Sequence, residues 1–118
     1  MKTSNFARHG NDPNAISIAR RAPRGFRGPT YAPLAPPETM LQAYRKGRLT
    51  VEQYRRRYEE KVLARLDPRA THAVLVGLVF GEPILLCWEE PEEFCHRHLV
   101  AAWFRETGIE CEEIRHAG

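Results

Sequence analysis

The chain has 118 residues, 42% of them hydrophobic, enough for one domain with a modest core. No apolar run approaches the roughly 18 residues of a membrane span, and the first residues lack the apolar stretch of a secretion signal, so a cytoplasmic protein is expected. The net charge of +3 hides an asymmetry: residues 1–66 carry 14 Lys/Arg against 5 Asp/Glu, and residues 67–118 carry 4 against 10.

In chain order, residues 2–6 read as a first strand ending in the small polar groups Thr3, Ser4 and Asn5. Residues 7–14 are rich in turn formers and read as loop. Ala15 to Ala19 is a compact second strand of small and β-branched residues. Residues 20–37 hold five prolines, two glycines and four arginines, with Phe26 and Tyr31 interleaved. Prolines at this density exclude regular structure. A long loop that keeps aromatics points to function: arginines fork onto phosphates, and aromatic rings offer stacking faces. Arg24 and Tyr31 are its candidate ligand contacts. The competing reading is a solvated loop pinned by Phe26 and Tyr31.

A short helix is expected over 38–46, ended by Gly47. Thr50 to Gln53 is a capping box that opens a helix over 50–66, with Val51, Tyr54, Tyr58, Val62 and Leu66 as its apolar stripe. Asp67-Pro68 caps and starts a helix over 68–79. Strand 83–88 follows. Pro91, with acidic Glu92 and Glu93 behind it, suits the start of a helix over 92–106. Its apolar face would combine Phe94, His98 and Ala102 with Cys95, Leu99 and Trp103. Gly108 ends it, and 109–115 alternates like an edge strand. Helical crossovers between strands imply a mostly parallel sheet with helices packed on its faces.

The most informative stretch is Ile84 to Glu106. It places Cys87 and Glu89 at the carboxyl end of a strand and Cys95, His96 and Arg97 at the start of a helix. Open α/β sheets bind ligands at that edge. Three cysteines, an odd number without dense spacing, argue against an extracellular disulfide framework and for free thiols. The positive end of a helix would make Cys95 the most reactive of them. Neighbours on a helix point about 100° apart, which argues against a Cys95–His96 dyad and favours Cys87 as the group approaching either residue. Cys87, Cys95 and His96 would supply three metal ligands, with Glu89, His98 or His116 as a fourth. The spacing differs from the usual zinc pattern, so no metal or other cofactor is expected. Cys111 reads as core packing and His98 as a satisfied core histidine, while Arg97 reads either as a contact to a ligand phosphate at the sheet edge or as a partner of Glu93. Strands that all end on one edge would gather Cys87, Glu89, Cys95, His96 and Arg97 around one cleft, with Arg20 and Ser4 or Asn5 opposite.

The segment Leu85-Leu86-Cys87-Trp88-Glu89, followed by Phe94-Cys95-His96-Arg97-His98, resembles the signature of the domain of unknown function 488 family. Thr3 to Phe6, Ile16-Ser17-Ile18 and Tyr31-x-x-Leu34-Ala35-Pro36 extend the resemblance to a short-form branch and to nearly the whole chain. It implies a Rossmann-like fold and a pocket at the Cys-x-Glu and Cys-His-Arg motif, and it names no reaction. Longer members carry Asp-Val-Arg where this chain has Ile18-Ala19-Arg20. Arg20 carries over; the carboxylate does not.

The expected architecture is one compact, three-layer α/β domain over residues 1–118. The expected function is binding of an anionic ligand, nucleotide-like or nucleic acid, at the carboxyl edge of the sheet, with action on it through Cys95, Glu89, His96 and Cys87. The contrasting expectation is a non-catalytic module whose basic half meets an acidic partner, with a homodimer as one form.

Overall fold

The computed structural model describes residues 1–90 and 92–115. Its elements are β1 (Lys2–Asn5), α1 (Phe6–His9), β2 (Ala15–Ser17), α2 (Glu38–Arg45), α3 (Val51–Lys61), α4 (Pro68–Leu78), β3 (Ile84–Cys87), α5 (His96–Glu106) and β4 (Glu112–Glu113). The four strands form one all-parallel sheet in the order β2-β3-β1-β4. Asn5 stands opposite Cys87 and Ser17 opposite Leu86, so the strands end along one edge. This is a small Rossmann-like α/β domain. No helix among the described residues is long and apolar enough to cross a membrane.

The two faces of the sheet are covered unequally. Alternation along the strands sends Ile16 and Leu85 to one side and Ala15, Ile84 and Leu86 to the other. The first side carries the main core, where Met40 of α2, Tyr54 and Tyr58 of α3, Leu75 of α4 and Val100 and Phe104 of α5 meet. On the second side the layer is thin: Phe6 of α1 and Phe26 of the arginine-rich loop pack on Leu86 and Cys87.

Several expected boundaries shift. The stretch after β1 forms a one-turn helix, because Asn5 Oδ1 accepts the backbone N–H of Arg8 at 2.9 Å and starts the turn. The capping box of Thr50 and Gln53 forms as expected, but the helix it opens ends at Lys61 and tightens into a 3₁₀ turn over Leu63–Arg65. Helix α4 buries only Thr71 and Leu75, leaving Val74, Val76 and Leu78 exposed. The largest shift is in α5. It starts at His96, with Cys95 as its N-cap. Glu90 and Glu93 close a turn of their own: the Glu93 N–H donates to the Glu90 carbonyl, and the Glu90 N–H donates to the Glu93 carboxylate. Pro91, the expected first helical residue, lies outside the described residues, as does His116. Gly108, at φ 82°, turns the chain out of α5 in the left-handed region where a side chain would be strained.

The buried face of α5 is also rotated from the one expected. It comprises His96, Arg97, Val100, Ala101 and Phe104. A charged residue can occupy that face because Arg97 is matched inside. Its Nε and Nη2 donate to the two carboxylate oxygens of Glu113 at 3.0 and 2.9 Å, and Nη1 donates to Cys87 Sγ at 3.1 Å. Thr3 Oγ1 donates to the same carboxylate at 2.6 Å. The Arg97 partner is therefore Glu113, not Glu93.

Burial alone would raise the Glu113 carboxyl, but the hydrogen bonds from Arg97 and Thr3 and the Arg97 charge outweigh it and hold it below its ordinary 4.5. Glu113→Ala strands a guanidinium inside and should cost about 3–5 kcal/mol in urea unfolding near pH 7. In the wild type the unfolded chain takes up the Glu113 proton first as pH falls. The contribution is therefore complete above the unfolded value of 4.5 and is lost as pH drops through the lower folded value, a fall that Glu113→Gln should remove.

Candidate functional site

A cavity of about 340 Å³ opens at the carboxyl edge, within the roughly 300–1,000 Å³ usual for small-molecule sites. Its floor is Cys87, Glu89, Cys95 and His96; Arg20, Arg21, Glu38 and Arg45 stand on its walls. Tyr44, Tyr54 and Phe94 form one aromatic side, with ring centroids 5.1–5.6 Å apart. Burial pushes the Tyr54 phenol well above its ordinary value, so it stays protonated. Trp88 closes the opposite side against Phe6, at 5.2 Å between centroids.

The proline-rich segment makes the far wall and is held at several points. Tyr58 donates its buried hydroxyl to the Leu34 carbonyl at 2.6 Å, Trp88 Nε1 donates to the Arg21 carbonyl at 2.8 Å, and Arg20 Nε donates to the Pro36 carbonyl at 3.1 Å. Gly28 lets the segment run against β2, because a Cβ there would sit 2.5 Å from the Ala15 carbonyl oxygen. The segment is thus an ordered wall, although its prolines prevent helix or sheet along most of it.

Two of the three cysteines do not stand as free thiols. Cys87 and Cys95 are joined as a disulfide, and Cys111 is the free, buried one. Burial pushes the Cys111 thiol up to about 11. Cys95 has extended backbone, φ −151° and ψ 146°, because it caps α5 rather than lying within it. Cys95 and His96 are therefore not neighbours on one helix, and Cys95 Sγ and His96 Nδ1 are 3.7 Å apart. His96 Nε2 lies 2.7 Å from the Ile18 carbonyl, an acceptor only, so Nε2 carries the proton and Nδ1 presents a lone pair to the sulfurs. Burial is the main reason that the His96 value falls to about 4, aided by the Arg97 charge and opposed by the Ile18 bond, so the ring is neutral near pH 7.

The other candidates lie elsewhere. Arg97 is fully buried behind the floor, held by Glu113 and Cys87. Ser4 is buried and bonds His9 Nδ1. Asn5 is a positioning residue: besides capping α1, its Nδ2 donates to the Glu89 carbonyl at 3.2 Å and ties the floor to β1. Arg24 is exposed outside the cavity, and Tyr31 packs against the core. His98 is satisfied in part: its ring hydrogen-bonds the Glu93 backbone, while its buried Nε2 has no partner among the described residues. Leu41, Gln42, Tyr44 and Arg45 of α2 line the cavity but were not singled out from the sequence. The helical spacing of Met40, Leu41 and Tyr44 is visible in the sequence; the surface they face is not.

Among protein-family models, residues 2–108 match the one described as DUF488-N3a, the active DUF488-N3 subclade. The chain belongs to the DUF488 family. The matched span includes Arg20, Cys87, Glu89, Cys95 and His96 of the cavity. Neither the curated proteins nor the solved structures contain a match to this DUF488 chain.

Cys111 should remain unlabelled by iodoacetamide in the native protein at pH 7 and react once urea unfolds it, as read by peptide mass mapping. Native labelling at Cys111 as fast as that of a small free thiol would contradict its burial.

Proposed function

We propose that this DUF488 protein binds an anionic, nucleotide-like ligand in the cavity at the carboxyl edge of its sheet and acts on it through the Cys87, Glu89, Cys95 and His96 floor. The observation that carries the reading is the convergence, in one cavity, of three arginines, an aromatic side and that floor. Arginine forks suit phosphate oxygens, tyrosine and phenylalanine faces suit a planar base, and Glu89 can accept from an amide or amino group. The description of the matched subclade as active supports a reaction rather than binding alone. The reading includes a cytoplasmic setting, and short single strands of nucleic acid are ligands of the same chemistry.

Calorimetric titration with nucleoside monophosphates tests it. Binding should weaken as salt rises, and Arg20→Ala should lower the affinity about tenfold, near the 1.4 kcal/mol of a modest charged hydrogen bond. Equal affinity for the nucleoside without phosphate would remove the anionic part of the reading.

A second reading, an interaction module, is favoured by one observation. Phe80 is fully exposed, beside the exposed Val74, Val76 and Leu78 of α4. A second copy of the chain is the partner this surface suits, while the basic half would meet an acidic one. Light scattering should then show a dimer that Phe80→Asp converts to monomer; a monomer in both would dismiss it.

A further inference from the structure

We propose that Cys87, Cys95 and His96, with the two cysteines reduced, form a zinc site whose fourth position opens into the cavity. Their three donor atoms lie within 4.8 Å of one another. On a tetrahedral ion, with zinc–sulfur bonds of about 2.3 Å and zinc–nitrogen bonds of about 2.0–2.1 Å, a sulfur and a nitrogen ligand stand about 3.6 Å apart. Cys95 Sγ and His96 Nδ1 are already 3.7 Å apart.

Three further features suit an ion. First, His96 donates Nε2–H to the Ile18 carbonyl, which fixes the ring and leaves Nδ1 as the ligand atom. Metal-binding histidines are usually held by such a bond. Second, the Cα atoms of Cys87 and Cys95 are 7.6 Å apart. Most disulfides fall at roughly 4.4–6.8 Å, whereas two sulfurs on one zinc need only stand about 3.8 Å from each other, which this wider backbone spacing favours. Third, Arg97 Nη1 donates to Cys87 Sγ at 3.1 Å and would stabilise that sulfur as a thiolate.

Charge and access also agree. Two thiolates and a neutral imidazole neutralise one divalent ion, while Arg97 and Glu113 neutralise each other behind them. All three ligands line the cavity, so the side of the ion away from the protein would face it. Two soft sulfurs and an imidazole select zinc over magnesium or calcium. Three protein ligands and an open position make a catalytic type of site, in which a bound water would stand beside Glu89 and the ligand.

Loading starts from the bonded cysteines. A thiol reductant of the glutathione or thioredoxin class supplies two electrons and two protons, breaks the Cys87–Cys95 bond and leaves with its own disulfide. Zinc then displaces the two thiol protons to solvent. The x₇ spacing between the cysteines hides the site because its ligands come from a strand end and a helix cap rather than from one tight knuckle.

The test uses the full chain, reduced with a phosphine and stripped by a chelator without air. Cobalt(II) should bind at about one ion per chain, with visible bands of tetrahedral intensity and a near-ultraviolet thiolate-to-cobalt transition, and zinc should displace it. Cys87→Ser and Cys95→Ser should each lose most of that transition, His96→Gln should alter the visible bands, and Cys111→Ser should change nothing. Wild-type spectra decide the matter even where a variant fails to fold. Weak octahedral bands only, or a thiolate transition that survives both Cys→Ser changes, would overturn the site. Nucleotide titration of the stripped protein separates the two readings. Binding there with no tetrahedral cobalt removes the metal alone, while a cobalt site with no nucleotide binding removes the ligand class and leaves the metal.

Discussion

The buried guanidinium of Arg97 is the constraint on which the motif depends. It sits inside a face of α5 that would otherwise be apolar, and it satisfies its donors on Glu113 from β4 and on Cys87 from β3. One side chain thus connects three elements. The ion pair by itself is weak evidence of stability, because desolvating two charges offsets most of their attraction. Its effect is on geometry. The fork fixes the rotation of α5 about its axis, and that rotation turns His96 toward Ile18 and sets Cys95 at the helix cap. Thr3, in a central strand, completes the carboxylate's partners, so the polar interior is satisfied rather than strained.

Polar groups in β1 serve the same end. Thr3, Ser4 and Asn5 are all buried, which is unusual for a strand in the middle of a sheet, and each has a named partner. Apolar residues there would fill the space but leave the Glu89 loop and the first turn of α1 without anchors. The cavity is built similarly on its outer side. Main-chain carbonyls of the proline-rich segment, which have few neighbours of their own to bond, accept from Arg20, Tyr58 and Trp88.

Much of this was legible in the chain. Parallel strands, crossover helices, the capping box at Thr50 and the Asp67-Pro68 start follow from local chemistry that tertiary contacts did not override. The gathering of Cys87, Glu89, Cys95, His96 and Arg20 follows from strands that end on one edge. The failures share a cause. Hydrophobic periodicity cannot register a buried charge, so the apolar pattern of α5 points to the side of the helix opposite its true inner face. Residue spacing cannot show that Cys95 leaves helical geometry, so a contact with His96 was set aside. Glu113 lies far along the chain from Arg97, and nothing local marks it as the partner.

The sheet is small and has two outer strands, and both are blunt. On the β2 side, the proline-rich segment returns beside the strand: the Ser17 N–H donates to the Pro29 carbonyl, and the Tyr31 N–H donates to the Ser17 carbonyl. On the other side β4 pairs over only two residues, both glutamates, one of which is turned to Arg97. A foreign strand would meet proline and a short acidic ribbon instead of a long ladder of unpaired amides. The segment that walls the cavity therefore also covers one outer strand against edge-to-edge pairing, and shortening it would both open that edge and remove part of the cavity wall.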